Sequence, residues 1–113
     1  MLIQVNTDKH IEGNEELRRR VHDVVEGALG RYNDRISRVE VHLSDQNSGD
    51  RGGGNDKRCT LEVRLEGRPP TAVSHAAPTV EQAIDGAADK ANRAVESTLE
   101  RLSDLRRGGQ PRT

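Results

Sequence analysis

The sequence predicts an α+β fold in which a four-stranded mixed sheet carries two packed helices on one of its faces. Three observations predict it. Short segments alternate apolar and polar residues, two longer segments repeat apolar residues at helical spacing, and the order along the chain is β-α-β-β-β-α. Since each strand has one apolar face and each helix one apolar stripe, placing both helices on the same face of the sheet buries all of them together.

The first two elements are a strand over residues 2–7 and a helix that begins after Asn14. Ile3 and Val5 of the strand are expected to face inward. Asn14 is a suitable N-cap, and the helix should stop at Gly30. Its apolar stripe consists of Leu17, Val21, Val24, Val25, Ala28 and Leu29. A right-handed crossover through this helix would set the first two strands parallel.

The second and third strands read as a hairpin. In the segment RISRVEVHLSD the alternation places Val39, Val41 and Leu43 on one side of the strand. In KRCTLEVRLEG it places Cys59, Leu61, Val63 and Leu65 on one side. The DQNSGDRGGGNDK segment between them holds no apolar residue, which favours a long hairpin loop. Its GDRGGGN stretch lacks the Lys-Ser/Thr and the following helix of a phosphate-binding loop.

The last two elements are a short strand, at about residues 71–76, and a second helix. The inward side of that strand is undecided, because Val73 competes with the small residues Ala72, Ser74 and Ala76. Thr79 and Gln82 match a capping box at the start of the helix. The helix stripe consists of Val80, Ile84, Ala87, Ala88, Ala91, Val95, Leu99 and Leu102. We expect one domain over residues 1–105 and a disordered tail over 106–113.

The composition excludes several function classes. A formal net charge of -1 provides no general attraction for DNA or for an anionic membrane. No apolar run approaches the ~20 residues of a membrane span, and the N-terminus does not resemble a signal peptide. The lone Cys59 suits a reducing compartment. We therefore expect a cytoplasmic protein that has neither DNA nor a membrane as its partner.

Nothing in the sequence indicates catalysis, a metal or a cofactor. The four histidines and Cys59 fall on different elements without the spacing of metal ligands. No nucleophile motif is visible, and nothing singles out an acid/base pair among the 19 carboxylates. The sequence therefore predicts a protein that is not an enzyme.

Basic residues on the helices are the candidates for binding a polyanion. Arg18, Arg19 and Arg20 fan apart on a helix, and Arg19 should face outward with Asp23 as its i,i+4 partner. In the second helix Lys90 and Arg101 point the same way about 16 Å apart. They flank an acidic strip whose members are Asp85, Asp89, Glu96 and Glu100, with Arg93 among them. The residues alone favour a solvated surface with a weak basic edge over a surface that binds RNA strongly.

The whole arrangement resembles the ribosome hibernation-promoting factor and ribosome-associated inhibitor family, also called sigma-54 modulation proteins, in its short form. The resemblance covers residues 2 to about 105. It is carried by the element order and by HIEGNEELRRRV, RYNDRISRVEVHLSD, DKRCTLEVRLEGRPP and AIDGAADKANR. It implies a non-enzymatic protein that binds the small ribosomal subunit under stress and blocks the channel for mRNA and tRNA.

The resemblance also implies which residues contact ribosomal RNA phosphates. Basic positions of the family correspond to Arg18, Arg19, Arg20, Lys90 and Arg93; we expect Arg101 to join them, with Arg106 and Arg107 of the tail as auxiliaries. Typical members continue the second helix with an Arg/Lys cluster, where this chain has Val95-Glu96-Ser97-Thr98. That departure keeps an alternative open. The same fold would then serve as a protein–protein interaction module or regulator, with a protein partner on the acidic strip and the open face of the sheet.

Overall fold

The predicted order of elements is confirmed in the computed structural model, which describes residues 1–45 and 56–106. The elements are β1 (Leu2–Thr7), α1 (Glu15–Leu29), β2 (Ile36–Asp45), β3 (Lys57–Leu65), β4 (Thr71–Ala77) and α2 (Val80–Arg106). A single 3-10 turn, Gly30–Tyr32, follows α1. The GDRGGGN stretch and residues 107–113 of the predicted tail lie outside the described residues, whereas Arg106 still belongs to α2.

The sheet has the strand order β1-β2-β3-β4. β1 pairs with β2 in parallel, as predicted, and the other two pairings are antiparallel. β1, β2 and β4 therefore point the same way. Because α1 connects two parallel strands it must run back along the sheet, and α2 also runs back from Ala77, passing His75 at Gly86. Both helices consequently begin at the same end of the sheet.

The core lies between the sheet and the two helices. It is built entirely from aliphatic residues, alanine and one cysteine, and among the described residues no polar or charged residue is buried. The largest fully buried side chains are Leu29, Leu61, Ile84, Val21, Val25, Val39, Val41, Val63, Val95 and Cys59. Removal of this apolar surface from water is the main stabilising contribution to the fold. The opposite face of the sheet is left to solvent.

Side-chain caps fix the start of each helix where the sequence placed it. The Oδ1 atom of Asn14 accepts a hydrogen bond of 2.8 Å from the Leu17 backbone N–H. The Oγ1 atom of Thr79 accepts one of 3.1 Å from the Gln82 N–H. α1 ends at Leu29, as expected, but Gly30 stays right-handed (φ -59) and continues into the 3-10 turn. Its role is therefore not that of a left-handed C-terminal glycine.

The inward side of β4, undecided from the sequence, is set by its register with β3. Val73 pairs with Leu61 and His75 pairs with Cys59, so the odd-numbered residues of β4 face the helices. The His75 imidazole lies directly under Gly86 of α2. A Cβ added at Gly86 would come within 2.0 Å of the His75 Cδ2 atom. The missing side chain of Gly86 therefore makes room for an imidazole between strand and helix.

Candidate nucleic-acid interface

All six basic residues proposed from the sequence are exposed on the helices. They are Arg18, Arg19, Arg20, Lys90, Arg93 and Arg101. The side chain of Arg106 and the whole of Arg107 lie outside the described part of the structure. The six residues do not form one cluster, however, because the two helices direct them to different flanks of the molecule.

On α1 the three consecutive arginines separate as the helical geometry predicts. Arg18 lies with His22 over the β1 edge of the sheet, where it borders a shallow groove along residues 3–6. Arg20 is turned the other way, into the cleft between the start of α1 and the start of α2. The expected ion pair between Arg19 and Asp23 is not formed within the described residues. In α2, by contrast, Arg93 is paired with Asp89 one turn earlier.

The cleft between the two helix starts combines cations with carboxylates. It has a volume of about 380 Å³, and its lining residues are His10, Ile11, Glu12, Asn14, Glu16, Leu17, Arg20, Lys57, Val80 and Glu81. The positive ends of both helix dipoles favour an anion at this end of the molecule. The three glutamates oppose one. The cleft therefore carries charges of both signs and is not a cationic pocket.

Lys57, which lines this cleft, is held by two carboxylates. Its Nζ atom lies 3.5 Å from Asp45 Oδ2 and 3.4 Å from Asp56 Oδ1. Desolvation opposes the charged form, but the hydrogen bond to Asp56 and the charges of Asp45 and Asp56 outweigh it and raise the pKa of Lys57 above its usual value. Lys57 thus stays protonated at neutral pH, with its charge already shared by two carboxylates.

On α2 the basic residues lie away from α1. The Lys90 Nζ atom donates a hydrogen bond of 2.9 Å to the backbone carbonyl of Ser74 in the edge strand β4. Arg101 lies on the same side of the helix by its spacing of three turns. This contact places Lys90 on the outer flank of α2, next to the edge strand β4.

Arg31 is a further basic residue of this face that the sequence reasoning missed. It follows α1 in the 3-10 turn, and its Nη2 atom donates a hydrogen bond of 3.1 Å to Asn92 Oδ1. The same atom lies 3.9 Å from Glu96 Oε1, and the guanidinium covers the ring of Tyr32 at 4.9 Å. Glu96, one of the four residues that stand where an Arg/Lys cluster was expected, therefore has a cation beside it. No local motif marks Arg31, because its importance depends on how α1 and α2 lie side by side.

The charges along the line between the helices alternate in sign. Arg20 lies with Glu16 and Glu81 at one end, and Arg31 lies with Glu96 and Glu100 at the other. In the described part of the chain this line is not a continuous positive groove. The outer surface of the two helices therefore carries separate basic groups rather than a single basic channel.

Cys59 does not supply a nucleophile to either face. Its side chain is fully buried between β3 and the helices. Desolvation raises the pKa of the Cys59 thiol to about 12, so the thiolate form is absent at neutral pH.

A second group of polar residues, also missed from the sequence, lies on the open face of the sheet. Glu40 and His42 of β2 and Glu62 of β3 bring one potential ligand atom each within 4.8 Å of one another. The spacing along the chain conceals this group. It exists only because the antiparallel register sets Glu40 opposite Glu62.

The chain has a small α+β fold whose basic residues are exposed on the two helices. Residues 4–103 match the family model described as sigma 54 modulation protein / S30EA ribosomal protein, and the chain belongs to this family. The resemblance drawn from the sequence motifs is thus confirmed. Since the family consists of non-enzymatic ribosome-associated factors, the prediction that the chain is not an enzyme is confirmed as well.

Two solved structures illustrate the likeness of fold. The N-terminal domain of Protein Y from Thermus thermophilus is 23% identical over 87% of this chain and 99% of that one, with a TM-score of 0.69. A ribosomal subunit interface protein from Coxiella burnetii is 16% identical over 88% and 99% of the two chains, with a TM-score of 0.66. A comparison with curated protein sequences finds no match.

Proposed function

We propose that this protein binds the small ribosomal subunit in the cytoplasm and inhibits translation under stress by occupying the channel of mRNA and tRNA. The observation that carries the proposal is membership of a ribosomal protein family over residues 4–103. One structural relative is itself a ribosomal subunit interface protein. Neither helix of the described residues is apolar enough over a sufficient length to cross a membrane.

The contacts to ribosomal RNA would be made to phosphates, through the six exposed basic residues of the helices. Arginine and lysine donate to phosphate oxygens without reading the bases, so such contacts need no aromatic platform. The chain has one aromatic residue, Tyr32, and Arg31 covers its ring. Base stacking is therefore a poor alternative for this surface.

The carboxylates of α2 limit the strength of this interaction rather than abolish it. Asp89 is paired with Arg93, and Glu96 lies 3.9 Å from Arg31, so two of the four acidic residues have a cationic nitrogen within 4 Å. A phosphate that approaches from the Lys90 side meets the ammonium group before the acidic strip. Lys90 and Arg101 on this flank are thus the best-placed contacts of α2, and Arg93 has to exchange Asp89 for phosphate.

The test is co-sedimentation of the full chain with purified small subunits at about 50 and 300 mM salt. The informative variant is Lys90→Glu/Arg93→Glu, which reverses two charges on α2. Its matched control is Arg58→Glu/Arg64→Glu, which reverses two exposed charges on the open face of the sheet. Circular dichroism verifies that both double variants retain the fold.

We expect saturable binding by the wild-type protein that weakens steeply with salt. The α2 variant should bind about tenfold or more weakly and should lower the slope of log affinity against log salt by about two, because each lost phosphate contact removes about one unit. The sheet-face control should bind as the wild type does. Equal binding by the α2 variant would refute this assignment of residues.

A protein partner is the second candidate, and the alternating charge between the helices favours it. Asp85 and Glu100 are exposed at opposite ends of the acidic strip. If wild-type protein does not bind subunits at low salt, the ribosomal proposal fails and this alternative becomes the leading one. A variant Asp85→Lys/Glu100→Lys would then be expected to lose its protein partner in a pull-down that the wild-type chain supports.

A further inference from the structure

The open face of the sheet holds a group of three side chains whose donor atoms converge. Glu40 and His42 are two residues apart on β2 and so point to the same side of the sheet. Glu62 of β3 is the direct cross-strand partner of Glu40. The His42 Nε2 atom lies 3.6 Å from Glu40 Oε1, and one ligand atom from each of the three residues lies within 4.8 Å of the others.

Two carboxylates placed directly opposite each other on neighbouring strands repel and weaken the pairing. Arg38 offsets part of this repulsion, because its Nη2 atom lies 3.1 Å from Glu40 Oε2. That contact uses one carboxylate oxygen of Glu40 and leaves the other, Oε1, turned toward His42. Arg38 therefore also orients the carboxylate in the manner of the outer-shell partners found around metal ligands.

From this geometry we propose that Glu40, His42 and Glu62 form a binding site for a divalent transition metal ion such as Zn²⁺. An ion bound by nitrogen and oxygen at about 2.0–2.2 Å holds its ligand atoms about 3.3 Å apart in a tetrahedral arrangement. The His42–Glu40 donor pair, at 3.6 Å, is already near that spacing, and the paired strands hold the backbones of all three residues in place, so the remaining adjustment falls to the side chains. Water would complete the coordination shell.

The charges around the group decide which ions it suits. Arg38 and Arg64 lie beside Glu40 and Glu62 in one small depression, so the two arginines offset much of the negative charge of the two carboxylates. Ca²⁺ and Mg²⁺ depend on oxygen ligands and on surplus negative charge, which this group does not provide. Transition metals gain additional binding from the imidazole nitrogen of His42. The site is thus selective for a transition metal and of modest affinity.

The site is independent of the proposed ribosomal function. The helices cover one face of the sheet, and these three residues lie on the other. Metal binding can therefore succeed or fail without any change in subunit binding, and the converse also holds.

The experiment is a calorimetric titration of the full chain with ZnCl₂ at neutral pH. The variants are His42→Ala and Glu62→Gln, which each remove one ligand. The matched control is His22→Ala, which removes an exposed histidine of α1 on the other face. Circular dichroism establishes that the variants are folded, and a parallel titration with MgCl₂ tests the choice of ion.

We expect one saturable Zn²⁺ site in the wild-type protein and in His22→Ala. Binding should be weaker by about tenfold or more in His42→Ala and in Glu62→Gln, and MgCl₂ should give no saturable heat. Wild-type protein without saturable Zn²⁺ binding overturns the proposal. Zn²⁺ binding that survives both ligand substitutions also overturns it, and so does Mg²⁺ binding of equal strength.

Discussion

The face of the sheet under the helices provides the apolar core, whereas the open face carries charged side chains. Leu61 and Glu62 are neighbours on β3, yet Leu61 is 0% exposed under the helices while Glu62 stands among charged groups at the solvent. The helical face is closely packed and apolar, so its residues respond to changes of volume. The open face consists of side chains that respond to charge and to ligands. Four substitutions test this division, from the largest expected effect to the smallest.

Leu61→Ala should cause the largest loss of stability. The leucine is fully buried, and its truncation leaves a cavity in the core, so we expect a loss of about 2–5 kcal/mol in the free energy of unfolding. Arg64→Ala, at an exposed position of the same strand, should change it by less than about 0.5 kcal/mol. Urea denaturation measures both. Similar losses from the two variants would contradict the division between the faces.

Gly86→Ala should destabilise the protein through overpacking rather than through a cavity. The new methyl group would collide with the His75 ring, which should cost about 1–3 kcal/mol. Gly27→Ala in α1, where an added Cβ meets nothing within 4 Å, should instead gain about 0.5–1 kcal/mol from helix propensity. A double variant Gly86→Ala/His75→Ala should recover stability relative to Gly86→Ala alone. Without that recovery, the imidazole is not the obstacle.

Asp8→Asn tests a contact between the residue that follows β1 and the last residue of β2. Burial opposes ionisation of Asp8, but hydrogen bonds from the backbone N–H groups of Asp45 and His10 outweigh it and lower the pKa of the carboxyl below its usual 3.8. Because the folded pKa is the lower one, the stabilisation is complete above the unfolded pKa and is lost as the pH falls through the folded value.

The Asp8→Asn variant should therefore melt at a lower temperature than the wild type at pH 7, by less than Gly86→Ala does. The difference should begin to narrow as the pH falls below about 3.8 and should close as the pH falls through the lower pKa of the folded state, where the wild-type carboxyl also becomes neutral. Thermal melts from pH 7 to pH 2 would show this. A difference in melting temperature that stays constant across the range would mean that the charge of Asp8 contributes nothing.

Glu62→Gln should have the smallest effect, and one of opposite sign. Replacing one carboxylate of the facing pair removes like-charge repulsion, so the metal-free protein should gain about 0.2–1 kcal/mol. The gain should shrink in high salt because the residues are partly exposed. Urea denaturation at low and high salt in the presence of a chelator measures it. A loss of stability would show that Glu62 is held by attraction to Arg38 or Arg64 instead.

The sequence allowed the helical face to be predicted well because that face follows from local patterns. Alternation in β2 and β3 identified the buried residues, and Asn14 and Thr79 marked the helix starts. The inward side of β4 could not be decided, since both of its sides carry small residues. It depends on the space that Gly86, eleven residues after His75, leaves in another element.

The candidate sites were less predictable because they depend on tertiary neighbours. The arginines of α1 could be placed from helical geometry, but the bond of Lys90 to Ser74 and the approach of Arg31 to Glu96 require the packing of α2. The Glu40–His42–Glu62 group depends on cross-strand register, which a polar hairpin segment between β2 and β3 leaves unspecified in the sequence. Residues that meet only across two strands show no characteristic spacing along the chain.

Because Cys59 is buried, the rate at which its thiol is labelled measures how often the folded structure opens. A maleimide or disulfide reagent can react with this single thiol only during an opening that exposes β3, since the folded state excludes both the reagent and the thiolate. The labelling rate therefore measures the frequency of these openings, and no probe has to be introduced into the chain. A rate that matches global unfolding would show that the sheet and helices separate only in one cooperative event. A faster rate would show that Cys59 becomes exposed in a partial opening that does not require global unfolding.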